Sequence, residues 1–138
     1  MRVADIMTTR LATVSMDDRL EVVKEIFEQA PFHHLLVVEE KELVGVLSDT
    51  DLYQALSPYL GSEAEQTRDS DTLHKRVHQV MTRHPITVGA RMTVHSAVAL
   101  MLNEGVSCLP VLDNSELVGI ITWKDLLRAC LEHGNFRD

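Results

Sequence analysis

The chain has 138 residues, of which 45% are hydrophobic and 25% are charged, and its formal net charge is −8. This balance is that of an ordinary globular protein, which at this length forms a core without disulfides or metal ions. The acidic charge argues against a nucleic-acid-binding surface, for which a basic face is expected.

The N-terminal residues and the cysteines predict a cytoplasmic protein. The opening MRVADIMTTR has no long apolar run, so we expect no signal peptide. No stretch approaches the roughly 18 apolar residues of a membrane span. Cys108 and Cys130 lie in apolar runs without C-x-x-C spacing, and we predict buried thiols in a reducing compartment. Neither a membrane nor a nucleic acid is therefore expected as a partner.

Residues 1–56 predict a short helical turn ending at Met7, followed by the order strand, helix, strand, strand, helix. The first strand is LATV. An amphipathic helix comes next, with Asp17 and Asp18 as N-cap and first-turn acids and an apolar stripe of Leu20, Val23, Ile26, Phe27 and Ala30. The runs HHLLVV and LVGVLS, joined by the turn EEKE, predict an antiparallel hairpin. The last helix is DTDLYQAL.

Residues 57–76, SPYLGSEAEQTRDSDTLHKR, are rich in acidic and hydroxyl residues. We predict an exposed connector with a helix that restarts near Leu73. His74 and His78 are four positions apart and would share a helix face, a spacing able to chelate a metal. No third ligand is evident, so we predict no metal site.

Residues 77–130 repeat residues 3–56 without a gap at an offset of 74 positions. The match includes Met7-Thr8 with Met81-Thr82, and ELVGVLSDTDL from Glu42 with ELVGIITWKDL from Glu116. Two copies of one supersecondary unit are therefore predicted. We expect repeats at 1–56 and 77–133, a connector at 57–76 and a C-terminal tail at 134–138.

The order of elements and the motif G-h-h-[ST]-x-x-D (h, apolar), present twice, resemble the tandem cystathionine β-synthase (CBS) domain pair. The openings IMTTRLATV and VMTRHPITV resemble this family too. The resemblance covers nearly the whole chain. It implies an α/β fold of two repeats, each strand-helix-strand-strand-helix, packed sheet to sheet with pseudo-twofold symmetry.

The resemblance also implies two clefts between the repeats that bind an adenine nucleotide such as AMP or ATP. The junction hydroxyl would contact phosphate and the Asp the ribose hydroxyls: Ser48 and Asp51 in the first copy, Thr122 and Asp125 in the second. Further contacts would come from Thr13, Val14, His34 and Leu35 in the first copy, and from Thr82, Pro85, Ile86, Thr87, Cys108, Leu109, Pro110 and Lys124 in the second.

Elementary chemistry supports the two junction roles independently. Unpaired backbone N–H groups at a helix start favour a phosphate, and an ionised carboxylate accepts two hydrogen bonds from a vicinal diol. The same residues are also good N-caps and first-turn acids without any ligand. Both interpretations stay open at this stage.

The two copies differ in charge at the junction. Lys124 follows Thr122 closely, whereas Asp49 is next to Ser48, where a second carboxylate opposes a phosphate. We therefore predict that the second junction is the better nucleotide site. Leu11 stands in the first copy where Pro85 stands in the second, so the first base pocket departs from the family pattern.

The function that the resemblance implies is a regulatory, non-catalytic sensor that signals to an unidentified partner protein and requires no cofactor. No P-loop, G-x-G-x-x-G or nucleophile elbow is present. Two alternatives stay open: an interaction module without a nucleotide, and a sensor of S-adenosylmethionine or a dinucleotide. Extra apolar residues on the second amphipathic helix, Met92, Leu100 and Leu102, predict a homodimer.

Overall fold

A computed structural model describes residues 1–134. The predicted tail beyond Gly134 lies outside the described residues. In chain order the elements are α1 (Val3–Ile6), β1 (Thr13–Val14), α2 (Leu20–Gln29), β2 (His34–Glu39), β3 (Glu42–Ser48), α3 (Asp49–Ala55), α4 (Thr67–Ser70), β4 (Thr82–Arg83), β5 (Val88–Gly89), α5 (Val94–Glu104), β6 (Cys108–Asp113), β7 (Glu116–Thr122) and α6 (Trp123–His133). Two 3₁₀ turns lie at Asp71–His74 and Val77–Gln79.

The chain divides into two compact units. The first unit is Ala12–His84, and the second is Met1–Leu11 together with the chain from Pro85 onward. The first unit has a four-stranded sheet in the order β1-β2-β3-β4, and the second a three-stranded sheet in the order β5-β6-β7. Each contains the predicted antiparallel hairpin and a short parallel strand beside it. The predicted α/β fold with two repeats is confirmed.

The hairpin turns are tighter than the sequence predicts. Only two residues connect the strands in each copy, Glu40-Lys41 and Asn114-Ser115, and all four have positive φ between 49° and 70°. Two-residue turns of this handedness match the twist of the flanking strands, and Asn tolerates this conformation best of the four. The turns fix the register of both hairpins.

The opening segment of each repeat pairs with the hairpin of the other repeat. Thr8 forms an antiparallel bridge with Ile120 in the second unit, and Thr82 pairs with Val46 in the first. These pairs are related by the same offset of 74 positions that relates the two sequence copies. The compact units therefore differ from the sequence repeats, because the opening segment of each repeat belongs to the unit that contains the other repeat's hairpin.

Each unit has its own hydrophobic core. The first is built around Leu20, Val23, Leu35, Leu47 and Leu52, and the second around Val94, Ala97, Met101, Leu109 and Ile121. The exchanged segments take part, since Val3 is buried in the second core and Val77 and Met81 are buried in the first. Burial of these apolar side chains holds the opening segments in place.

The beginning of α2 differs from the prediction. Arg19, not Asp17 or Asp18, occupies the N-cap position, and no side chain caps the helix. The Leu20 N–H instead donates to the Lys75 carbonyl at 2.9 Å, while Asp18 accepts from the Ser15 N–H at 2.8 Å in the preceding turn. A backbone contact from the connector has replaced the predicted cap.

The connector is only partly exposed. Asp69 is 5% exposed and accepts hydrogen bonds from the Ser57 hydroxyl at 2.7 Å and the Gln66 N–H at 2.8 Å. The predicted helix near Leu73 is a 3₁₀ turn, and Leu73 packs against the core of the first unit. The exposed-connector prediction is therefore wrong for this part of the segment.

Two smaller predictions are also corrected. Cys108 is buried as predicted, but Cys130 is exposed, because it lies on the outer side of α6. His74 and His78 belong to separate 3₁₀ turns rather than to one helix. Within residues 1–134, no group of three or more side chains is placed to hold a metal ion.

The glycine in the second strand of each hairpin lies against a methionine of the paired opening segment. A Cβ at Gly119 would lie 2.6 Å from Met7 Sδ and 3.0 Å from the Thr8 carbonyl oxygen, and Gly45 has the same relation to Met81 and Thr82. The register also shifts beside Gly45 and Gly119, as it does at a β-bulge, where glycine is common. Only glycine allows this close approach.

Gly119→Ala is expected to destabilise the protein by about 1–3 kcal/mol, because the added methyl group overlaps both the partly buried Met7 side chain and the Thr8 carbonyl oxygen. Urea unfolding followed by circular dichroism measures the change. Gly89→Ala is the matched control, since nothing lies within 4 Å of its Cβ position. Equal stability of the two variants would contradict the close contact.

Candidate functional site

The junction of β7 and α6 in the second unit is a capping box. The Thr122 N–H donates to Asp125 Oδ2 at 2.9 Å, and the Asp125 N–H donates to Thr122 Oγ1 at 3.5 Å. This arrangement satisfies two of the backbone donors that a helix start leaves unpaired. The hydroxyl and the carboxylate are thereby held side by side at the end of the strand.

Asp125 is more strongly engaged than a simple helix cap. Its side chain is buried, with the residue 3% exposed. Oδ1 accepts from Thr8 Oγ1 at 2.8 Å and from Arg128 Nη1 at 3.3 Å, and Oδ2 also accepts from Thr122 Oγ1 at 3.2 Å. The carboxylate thus joins the helix start to the exchanged opening segment. A buried carboxylate requires such partners.

The junction of β3 and α3 in the first unit has the same capping box, but its carboxylate accepts fewer hydrogen bonds. The Ser48 N–H donates to Asp51 Oδ2 at 2.9 Å, and the Asp51 N–H donates to Ser48 Oγ at 3.0 Å. Within residues 1–134, no donor contacts Asp51 Oδ1, and the side chain is only partly buried. This oxygen is available to a hydroxyl donor.

Asp49 adds a second carboxylate to the first-unit junction. Its Oδ2 lies 2.8 Å from His33 Nδ1, and its Oδ1 accepts from the Thr50 N–H at 2.8 Å. Burial alone would raise the pKa of Asp49, but the bonds from His33 and Thr50, with the charge of His33 and His34, together lower it below the ordinary value. Asp49 is therefore ionised at neutral pH.

His34 is part of the same cluster. Desolvation lowers its pKa below 6.5; Asp49 and Asp51 act in the opposite direction, and His33 adds to the lowering. The Ser48 position lies directly opposite His34 in the β2–β3 register. The imidazole therefore adjoins the junction hydroxyl and is neutral at neutral pH.

The structure brings most of the sequence-predicted residues to the expected junctions. Cys108 lies opposite Thr122 in the β6–β7 pair, and Lys124 is exposed in the first turn of α6. Beside them on the same strands, or just before β5, are Leu109, Pro110, Pro85, Ile86 and Thr87. In the first unit, β1 carries Thr13 and Val14, and β2 carries His34 and Leu35.

Three of these residues are core side chains. Leu35 and Leu109 are fully buried, and Val14 is nearly so. Their side chains fill the two cores, so any contact from these positions to a ligand would use the backbone. Of their neighbours on the strands, Cys108 and Pro110 are also buried, whereas Thr13 is exposed and His34 is partly exposed.

Thr82 does not lie at the junction to which the sequence assigns it, and Thr8 lies there instead. Thr82, assigned to the second copy, pairs with Val46 in the first unit. Thr8 instead bonds to Asp125 in the second unit. Sequence reasoning also missed Arg128. The doubled Met-Thr dipeptide was the available signal for Thr8, but only the fold shows with which hairpin each copy pairs.

Comparisons with known proteins agree with this architecture. The CBS domain family model matches residues 3–58 and 77–132. A CBS domain-containing protein of Dictyostelium discoideum is 34% identical over 128 residues, covering 91% of this chain and 88% of that protein. With two matched repeats and two copies of the strand-to-helix junction, the chain belongs to the CBS domain family.

Solved structures share the whole fold. The crystal structure of CBSX2 in complex with AMP, a protein of Arabidopsis thaliana, has a TM-score of 0.78 and 30% identity, covering 97% of this chain and 98% of that one. The CBS pair of protein MJ0100, in complex with 5′-methylthioadenosine and S-adenosyl-L-methionine, has a TM-score of 0.76 and 26% identity, with 97% of each chain covered. In residues 1–134 of this chain, every helix is too short or too polar to cross a membrane.

The lowered pKa of His34 predicts a pH dependence of stability. The unfolded histidine takes up a proton as the pH falls through about 6.5, while the folded one resists protonation. The contribution of neutral His34 to the free energy of unfolding is therefore complete above a pH of about 6.5. It is lost as the pH falls through the pKa of His34 in the folded protein. Urea unfolding at pH 8, 7, 6 and 5 should show a shallower loss of stability for His34→Gln.

The control for this experiment is His95→Gln, which removes an exposed histidine of α5. This variant should keep the pH profile of the wild type. If His34→Gln also keeps that profile, burial of His34 does not contribute to the acid sensitivity of the fold.

Proposed function

We propose that this protein is a regulatory module that binds an adenine nucleotide or a related adenosine compound at its strand-to-helix junctions and passes the bound state to a partner protein. The observation that carries the proposal is the doubled capping box, in which a hydroxyl and a carboxylate lie together at the end of a strand. The AMP complex of CBSX2, which has the same fold, supports an adenosine ligand.

The second-unit junction has the charges that a phosphate requires. Lys124 and Arg128 carry two positive charges on the first turns of α6, against the single negative charge of Asp125, so their sum is +1. The α6 helix has 11 residues and directs its N-terminal partial positive charge to the same point. We therefore propose AMP, ADP or ATP as the ligand of this junction.

Asp125 would hold the ribose by exchanging a partner. The Arg128 side chain is 59% exposed, and its bond to Oδ1 is the longer of the two, at 3.3 Å. A ribose hydroxyl that replaces Arg128 at Oδ1 would release the guanidinium to a phosphate. Since Oδ1 also accepts from Thr8, this exchange gives the ligand a connection to the opening segment.

Two other functions give different experimental results. An interaction module with no ligand would show no nucleotide-dependent stabilisation, and a sensor of S-adenosylmethionine would respond to that compound and not to AMP. The MJ0100 complex is the reason for including S-adenosylmethionine among the titrated compounds. In this proposal the module itself does no catalysis, and a turnover of nucleotide would contradict that part.

We also propose that the protein forms a homodimer, but through a different helix from the one that the sequence suggests. Met92 and Leu100 of the α5 region pack against the core, and Leu102 is exposed. On α6, by contrast, Trp123, Leu127 and Leu131 repeat every fourth position and are 43%, 64% and 90% exposed. Their shared helix face is a candidate contact.

Nucleotide binding is tested by titration with AMP, ADP, ATP and S-adenosylmethionine, followed by thermal unfolding and by the fluorescence of Trp123, the only tryptophan. At a free ligand concentration of 100 Kd, linkage predicts about 2.7 kcal/mol of added stability. Lys124→Gln should weaken AMP binding about three- to tenfold by removing one positive charge.

Lys41→Gln is the matched control, because Lys41 is exposed in the β2–β3 turn and should not affect AMP. Stabilisation by none of the four compounds would overturn the proposed nucleotide function. Equal loss of affinity in both lysine variants would overturn the assigned role of Lys124.

The dimer is tested by light scattering coupled to size-exclusion chromatography at micromolar concentration. Leu131→Glu should convert a dimer into a monomer, since a buried, unpaired carboxylate opposes association, whereas Leu102→Glu should leave the dimer intact. A monomeric wild type would overturn the homodimer. Dissociation by Leu102→Glu alone would return the interface to α5.

A further inference from the structure

We infer that the first-unit junction selects an adenosine compound whose 5′ group carries no phosphate, and that Asp49 is the residue that determines this selection. This inference rests on the proposed function, since it assigns a ligand class to one of the two proposed junctions. It follows from a difference in charge and in hydrogen-bond occupancy between two otherwise equivalent sites.

The aspartate of the first-unit junction can accept a hydrogen bond from a ribose hydroxyl more readily than the aspartate of the second-unit junction. Asp51 Oδ1 is available to a hydroxyl donor, because only Oδ2 accepts from the Ser48 N–H. Asp125 must give up a bond before it can accept from a ligand, since both of its oxygens are already engaged. A nucleoside diol thus has a direct partner in Asp51.

The charge at the first-unit junction is unfavourable for a phosphate. Asp49 and Asp51 carry two negative charges within the first turn of α3. The side-chain partner of Asp49 is His33, whose Nδ1 lies 2.8 Å from Asp49 Oδ2. A phosphate at the start of α3 would therefore be opposed by like charge.

The matching positions of the second unit have the opposite character. Trp123 stands where the first unit has Asp49, Lys124 where it has Thr50, and Arg128 where it has Gln54. Three differences within the first two turns of the helix thus change the sum of charges from −2 at Asp49 and Asp51 to +1 at Lys124, Asp125 and Arg128. Like charges near a common point lower the affinity for a phosphate.

An uncharged or cationic 5′ group avoids this repulsion. A thioether adds no charge, and a sulfonium is attracted by the Asp49 carboxylate. The ligand class assigned to the first-unit junction is therefore a nucleoside with an intact ribose diol and a 5′ thioether or sulfonium. Phosphorylated nucleotides are assigned to the second-unit junction.

The test is isothermal titration calorimetry of the full chain with 5′-methylthioadenosine and with AMP, using wild type, Asp49→Asn and Asp51→Asn. Asparagine keeps the shape of Asp49 and its capacity to accept from Thr50. In Asp49→Asn we expect AMP affinity at the first-unit junction to rise about tenfold or more, while that of 5′-methylthioadenosine changes less than about threefold.

Asp51→Asn should abolish binding of 5′-methylthioadenosine without affecting AMP at the second unit, which assigns the site. Thermal unfolding of each variant without ligand checks that the capping box and the fold persist, and Ser48→Ala provides a second variant if Asp51→Asn does not fold.

The outcomes separate this inference from the proposed function. AMP binding that depends on Asp51 and is as tight as that of 5′-methylthioadenosine in the wild type would overturn the inference and leave the nucleotide function in place. An unchanged ligand preference in Asp49→Asn would do the same. Binding of neither compound to the wild type would overturn the proposed function.

Discussion

The pairing of each opening segment with the hairpin of the other repeat is the constraint on which the rest of the structure depends. Thr8 and Ile120 exchange both backbone hydrogen bonds, at 2.8 and 2.9 Å, and the methionine before Thr8 fills the space that Gly119 leaves open. Val3 adds its buried side chain to the same core. Without these contacts the outer edge of β7 would be unpaired, and Asp125 would lose the Thr8 hydroxyl.

The strand-to-helix junctions stabilise the helix starts with the same atoms that the proposed function assigns to ligand recognition. The hydroxyl and carboxylate that close each capping box are the groups that the proposed function uses for a nucleotide. In the proposed function, a ligand at Asp125 would compete with the contacts that hold the helix start and the opening segment. Binding would then have a structural consequence, because a changed partner at Asp125 changes the anchoring of residues far from it in sequence.

Duplication has preserved the backbone of the two junctions and varied their charge. The registers of the hairpins correspond residue for residue, including the shift beside the glycine. The polar residues around the capping boxes do not correspond, since Asp49 faces His33 in one unit and Arg128 approaches Asp125 in the other. Equivalent sites with different electrostatics can distinguish ligands that share a nucleoside and differ in their 5′ group.

The sequence by itself determined the duplicated unit, the order of its elements and the capping boxes, because these depend on local patterns: alternation in the strands, helical spacing, and a hydroxyl three residues before an acid. It also indicated that Ser48, Asp51, Thr122 and Asp125 belong together in pairs. A repeat offset without gaps made both copies easy to align, so the family resemblance and the fold class followed directly.

Only the tertiary structure decided which opening segment pairs with which hairpin, since both copies carry the same Met-Thr dipeptide and each fits either glycine. The same is true of the start of α2, where a carbonyl of the connector replaces the predicted aspartate cap. The occupied state of Asp125 depends on Thr8 and Arg128 as well. Contacts between residues distant in the chain leave no local pattern, and they decided these features.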